Sequence, residues 1–224
     1  MRGGLDDSEG FRIHSDEGAG KRRVSVSAVG AVHTESVMPD RDVESIRDLI
    51  YYQYAKIIAR RAFSTADGAE AKRKHYGFVK QTFRKLKCGE MSWSDILRED
   101  WQLMELGKQC VYCGADDDLD REHIVPRSLR IKPECGSCDT IQGIHNQVLA
   151  CNRCNAAKGA GGLYEFYRKL HPGEKKYYDV IPPLVEKKYL KTILQCHICA
   201  GTLDDANSDR DREISVLDID SVIR

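Results

Sequence analysis

The chain has no surplus of charge of either sign: 35 Lys and Arg stand against 35 Asp and Glu, for a formal net charge of zero. That disfavours non-specific coating of nucleic acid, which needs a strong positive field, but a local basic patch can still hold phosphates. No run approaches the roughly 18 apolar residues needed to span a bilayer. The opening MRGGLDDSEG carries acids and no apolar stretch, unlike a secretory signal. These absences predict a soluble, cytoplasmic protein with no membrane partner. No internal repeat is present apart from paired cysteines. With 224 residues, 41% of them hydrophobic, the chain can bury the core of one sizeable domain, or of a small domain with helical additions.

Cysteine, by contrast, is plentiful. Eight of the nine form Cys-x-x-Cys pairs: Cys110/Cys113, Cys135/Cys138, Cys151/Cys154 and Cys196/Cys199. A secreted disulfide protein would be smaller and carry a signal peptide. In a reducing compartment, repeated pairs of this spacing suit tetrahedral zinc. Cys88 has no pairing partner in the pattern and reads as a small buried residue.

Acids gather in the tails and bases in the middle. Residues 1–41 are rich in Gly, Ser, Asp and Arg and read as a mobile arm, interrupted by a candidate strand at Val24–Val29. Residues 42–106 read as helical. Ile46, Leu49, Ile50, Tyr54, Ile57 and Ile58 recur at three- and four-residue steps within Asp42–Phe63, with Asp42 or Asp40 as the cap. A second helix, Ala69–Lys87, interleaves Phe78, Val79 and Phe83 with seven bases and stops at Cys88-Gly89. That basic run fits a solvated face or a nucleic-acid contact. A third helix opens at Ser92, with Asp95 completing a capping box, and ends at Gly107. Trp93 and Trp101 read as core residues. Residues 163–224 read as a helical extension: Leu163–Leu170, then Leu184–Leu194 opened by Pro182-Pro183. A polar stretch at 204–213 and an edge strand at Ile214–Ile219 follow.

Residues 107–162 carry the chemistry. Glu122-His123 precedes Ile-Val-Pro, as in a strand that ends there. Asn146-Gln147-Val148-Leu149 leads into Cys151-x-x-Cys154, then Asn155, Lys158 and Gly159, as in a helix that ends at the glycine. Phosphodiester hydrolysis needs a water deprotonated near neutral pH, and a neutral histidine suits that task. It also needs positive charge at the phosphate oxygens. A hard cation such as magnesium or manganese supplies this and prefers oxygen ligands, which Glu122 and Asn155 offer. Soft thiolates prefer zinc.

Cys110–Gly159 resembles the HNH endonuclease family, whose core is a ββα-metal finger. The resemblance rests on the acid-His-Ile-Val-Pro string, the Asn-x-Val-Leu string and Cys-x-x-Cys-Asn-x-x-Lys-Gly, in that order. It covers under a quarter of the chain. It implies an α+β fold, a mainly helical chain around such a finger, with one or two structural zinc sites. His123 then matches the general base, Glu122 the acidic metal ligand and Asn146 the asparagine that pins the loop carrying the base. Asn155 matches the second ligand of the catalytic magnesium or manganese. Cys110, Cys113, Cys151 and Cys154 match the structural zinc.

Two departures stand out. Glu122 is longer than the commoner Asp, and the stretch between Val125 and Asn146 is long and contains Cys135 and Cys138. These two pair with Cys196 and Cys199 in a second zinc site, or, on spacing alone, with Cys110/Cys113. Arg127, Arg153 and Lys158 are candidate phosphate contacts, while Arg130 reads as surface charge. His145 reads as a packing residue and His197 as a spacer.

The function expected is a metal-dependent DNA endonuclease, in prokaryotic defence or restriction by association with the family. RNA stays open as a substrate. The alternatives are a zinc-stabilised binding module and a nuclease subunit idle without its partner protein. Double-strand cutting would call for a homodimer, since one finger cuts one strand.

Overall fold

The computed structural model describes residues 41–63, 68–94, 96–105, 107–133, 138–174, 176–206 and 214–223. The arm read at 1–41, with its Val24–Val29 strand, lies outside them except for residue 41, as does Cys135. The fold is α+β: mainly helical, with one two-stranded antiparallel sheet. In chain order come α1 (Ile46–Ala62), α2 (Ala69–Lys87), α3 (Ile96–Glu105), β1 (Leu119–His123), α4 (Asp139–Gln142), β2 (Gln147–Cys151), α5 (Asn152–Lys158), α6 (Leu163–Leu170) and α7 (Pro183–Ala200). Short 3₁₀ turns cover Ile144–Asn146, Tyr177–Val180 and Val216–Ile223. Among the described residues no helix is long and apolar enough to cross a membrane.

α1 and α2 pack as an antiparallel pair through Leu49, Ile50, Val79, Phe83 and Leu86. The cap of α1 is Ser45, whose Oγ accepts the Asp48 N–H at 3.2 Å, and not Asp42. Asp42 instead meets Arg84 of α2 at 3.2 Å. The first-turn N–H groups of Ile46 and Arg47 are taken by the carbonyls of Asp205 and Leu203, at 3.0 and 2.8 Å. The start of the stretch read as loose and polar therefore docks onto α1, satisfying donors that every helix N-terminus leaves open.

α7 is the hub. It is buried nearly all round, through Val185, Tyr189, Leu190, Ile193 and Leu194, yet it also buries Glu186, Lys188, Lys191 and His197. Buried charge persists only when paired, and these groups tie α1, α3, α6, β2 and the C-terminal segment to the hub. Glu186 takes Arg60 of α1 at 2.6 Å and the Tyr164 hydroxyl of α6 at 2.9 Å. Lys191 pairs with Glu99 of α3 and meets Ser94 Oγ at 3.0 Å. Lys188 pairs with Asp100 at 2.5 Å and donates to the Gln147 carbonyl of β2 at 2.6 Å.

His197 is no spacer. A carbonyl only accepts, so its Nε2–H donates to Ile219 O at 3.0 Å, and Nδ1 takes the Thr202 hydroxyl at 2.8 Å. These bonds hold the C-terminal segment, which is a 3₁₀ turn where an edge strand was expected. The Asp218 carboxylate accepts the Ser215 N–H at 2.8 Å, a local bond that competes with extended backbone. Asp220 accepts the Tyr189 hydroxyl at 2.6 Å and the Glu165 N–H at 2.8 Å. Gly162 is required there, because a Cβ would lie 2.2 Å from the Asp220 carboxyl.

Two side chains read as core are not. Trp93 does pack edge-on to Tyr51 and Tyr54, but Trp101 is 66% exposed. α3 turns Glu99 inward to Lys191, and two residues further round the helix Trp101 faces out. Cys88 is exposed, lying at the end of α2 beyond the last inward residue, Leu86. The third helix begins at Ile96, four residues after Ser92, and Asp95 lies outside the described residues.

Candidate active site and metal centre

β1 and β2 pair antiparallel in the register Leu119↔Cys151, Arg121↔Leu149, Glu122↔Val148 and His123↔Gln147. Side chains alternate across a sheet. His123, Gln147 and Arg121 therefore share one face, and Glu122 occupies the other, against α5.

The Cys110-x-x-Cys113 turn precedes β1. Cys151 closes β2, and Cys154 lies in the first turn of α5. Their four Sγ atoms lie within 4.8 Å of one another, with Cys113 and Cys151 at 3.7 Å. A tetrahedral ZnS₄ unit with Zn–S of about 2.3 Å separates its sulfurs by about 3.8 Å, so the group fits a structural metal such as zinc. Burial works against the Cys110 thiolate. The N–H groups of Cys151, Cys113 and Tyr112, with the Cys113 side chain, outweigh it and bring its pKa down to about 7. Burial and the neighbouring thiols push Cys154 the other way. Such a clustered set ionises fully only with a cation among the sulfurs.

Among the described residues this is the one group of three or more such ligands close enough to share an ion. Cys138 stands at the start of α4, which packs on α7, the helix of Cys196 and Cys199. These three cysteines do not converge by themselves to that distance.

Asn146 is fully buried and clamps the chain behind His123. Its Oδ1 accepts the Val125 N–H at 2.9 Å. Its Nδ2 donates to the carbonyls of Val125 and Ile141 at 2.7 and 2.8 Å. Its own carbonyl takes the Ile124 N–H at 2.9 Å. The backbone just past His123 is thus held by three bonds to Asn146, and a fourth ties Asn146 to Ile141. His123 itself is half-buried. Arg121 donates to Gln147 Oε1 at 3.5 Å, which turns the amide nitrogen toward His123 Nε2 at 3.3 Å. That orientation, assigned from the bonding network, gives the Nε2 lone pair to the Gln147 amide and the proton to Nδ1; with the amide turned over, Oε1 would accept Nε2–H and leave the Nδ1 lone pair free for a water. Burial lowers the His123 pKa below its usual 6.5. The Arg127 and Lys158 cations lower it further, against the opposing charge of Glu122. The imidazole is therefore neutral near pH 7, as a base must be.

Glu122 is buried with both oxygens engaged. Oε1 meets Lys158 Nζ at 2.7 Å, and Oε2 accepts the Tyr112 hydroxyl at 2.6 Å. Burial and the Glu122 charge hold Tyr112 well above its usual pKa, so it remains the donor. Lys158, read as a phosphate contact, exposes 0% of its side chain and also donates to the His123 carbonyl at 3.1 Å. Asn155 lies half-buried on α5, three residues before Lys158 and so on its side of the helix. Arg127 and Arg153 are exposed, while Arg130 folds back onto the carbonyls of Arg127 and Leu129. His145 pairs through Nδ1 with Asp100, a packing role.

Tyr112, Gln147 and Lys188 are the parts of the site that sequence reasoning missed. Only the strand register reveals that Gln147 faces His123. Nothing local marks Tyr112 as the partner of Glu122, or Lys188 as the anchor of Gln147. Comparison with family models, curated proteins and solved structures returns no match.

Proposed function

We propose that the chain is a metal-dependent endonuclease of the HNH type that hydrolyses DNA phosphodiester bonds, with His123 as the base that activates water. The observation that carries this reading is a neutral, half-buried imidazole at the end of β1. Its backbone is locked by Asn146 and its ring is oriented by Gln147. General-base catalysis wants a side chain unable to swing away and a ring lone pair free for water, which His123 offers on Nδ1 when the Gln147 oxygen takes Nε2–H. The order β1, β2, α5, with four thiols joining the turn before β1 to the helix after β2, supports the same reading.

The oxygen donors Glu122 and Asn155 suit magnesium or manganese by hardness. As placed, however, Glu122 has no oxygen to spare, because a cation there would compete with the Lys158 ammonium. A divalent ion held by Glu122 and Asn155 would have to displace that ammonium, and it would supply positive charge at the phosphate oxygens. The chain's own residues account for water activation by His123, and the exposed Arg127 and Arg153 are its phosphate contacts. The biological role that follows from the family is defence or restriction.

The test is nicking of supercoiled plasmid by the zinc-loaded protein, with magnesium or manganese and with EDTA, alongside His123→Ala. Metal-dependent nicking that falls by about 10²–10⁴-fold in the variant is the expected result. Equal nicking by both proteins would remove His123 from the mechanism. No nicking by a folded wild type would favour a binding module or a subunit that waits for its partner.

A further inference from the structure

Three of the large apolar side chains most exposed on the protein gather at one place: Trp101 at 66%, Met104 at 64% and Ile144 at 64%. They border a groove of about 790 Å³ between α3, the β1–β2 face and the start of α7. The volume falls within the roughly 300–1,000 Å³ of small-ligand sites. An apolar patch of this kind on a protein surface marks something that binds there.

What surrounds the apolar walls narrows the choice. Gln147 lines the groove, and its amide is the group that meets His123 Nε2. The groove therefore opens one side chain away from the imidazole. Its rim carries Lys108 and Arg121, both exposed. The acid on its wall, Asp100, is paired with Lys188 and His145. The charge left facing outward is positive.

We propose that this groove takes an unpaired nucleobase of the strand being cut, stacked on Trp101, with the adjoining phosphates beside Arg121 and Lys108. The proposal rests on the nuclease reading of His123 and adds the form of the substrate to it. An aromatic platform with flanking cations is how single strands are held without reading sequence, since every base has a flat face. A chain of zero net charge gains little from phosphates alone, and stacking supplies affinity that salt does not screen. Arg121 and Lys108 together contribute about −1.4 to the slope of log K against log salt.

The test is fluorescence anisotropy of a fluorescein-labelled 12-nucleotide single strand, and of its blunt duplex, with the full zinc-loaded chain and no added divalent ion. The single strand is expected to bind tighter than the duplex. Trp101→Ala should weaken single-strand binding about tenfold, and Trp101→Phe should restore most of it. Zinc content and circular dichroism check the fold, which an exposed side chain does not support. Unchanged binding by Trp101→Ala overturns the proposal. So does loss of a dimer by light scattering with oligonucleotide binding intact, which would make the patch a protein interface. Plasmid nicking separates the two readings. If Trp101 dependence holds while His123→Ala nicks like the wild type, the assignment of His123 as the base fails and the groove stands. If nicking needs His123 but Trp101→Ala binds normally, the groove fails and the nuclease stands.

Discussion

Replacing Lys158 with methionine keeps the volume of the side chain and removes the ammonium that lies 2.7 Å from Glu122 Oε1. Glu122 would keep the Tyr112 hydroxyl at 2.6 Å and nothing of opposite charge from Lys158. The two side chains expose 0% and 3%, so water cannot take over. Breaking a buried pair from one side costs about 3–5 kcal/mol, because the remaining charge stays desolvated. In a fold of this size each kcal/mol moves the melting temperature by about 2–4 °C. Lys158→Met, with zinc saturating, should therefore melt roughly 6–20 °C below the wild type. Adding Glu122→Gln should recover part of that loss, since the buried charge then goes too. The exposed pair Lys74–Glu70, at 65% and 69%, serves as the control, and Lys74→Met should stay within about 1 kcal/mol. Thermal denaturation followed by circular dichroism reads all four proteins. A Lys158→Met variant that melts within about 2 °C of the wild type would refute the reasoning. If that variant also lost DNA binding, Lys158 would be a phosphate contact.

Asn146→Ala strips the partners from the Val125 N–H and from the Val125 and Ile141 carbonyls. At roughly 1–3 kcal/mol per buried orphan, it should destabilise by several kcal/mol in urea titration and lower kcat more than it changes KM. Cys154→Ser, or a strong zinc chelator, should release one zinc per four-cysteine site and unfold the β1–β2–α5 unit. Atomic emission and hydrogen exchange read this, and full protection in a metal-free protein would rule it out. Burial lowers the His197 pKa below 6.5, against the opposing Ile219 carbonyl and Asp205. The unfolded chain therefore takes up a proton before the fold does, and stability present at pH 7.5 declines as pH falls below about 6.5. His197→Gln should flatten that slope between pH 7.5 and 5.5. An unchanged slope would mean that other groups set it.

Local pattern was enough for two of the helices. The bounds Ala69–Lys87 and Leu163–Leu170 follow from apolar spacing and from stop residues, both of which act within one or two turns. The residue pattern of Cys110–Gly159 likewise placed a strand at Glu122-His123 and a helix ending at Gly159, while the grouping of Cys110, Cys113, Cys151 and Cys154 came from the family resemblance, spacing alone leaving Cys135/Cys138 open as partners. These features lie in short strings, and the spacing within a string limits its geometry.

What the tertiary structure decided are contacts between residues far apart in the chain, which no local spacing encodes. Glu122 and Lys158, 36 positions apart, became a buried pair only because α5 folds back over β1. Gln147 came to face His123 through strand register, and a slip of one residue would have turned it to the other face. Trp101 looked like core by composition, but Glu99 took the inward face of α3 because Lys191 of α7 was there to pair with it. His197 and Asp220 fixed the C-terminal segment as a turn by offering it partners that an edge strand would not have had. The sequence by itself determined several of the helices and the short strings in which the candidate site residues lie. Packing around α7 decided which side chains are buried, paired or left open to solvent, because desolvation is set by everything that surrounds a group and not by its neighbours in the chain.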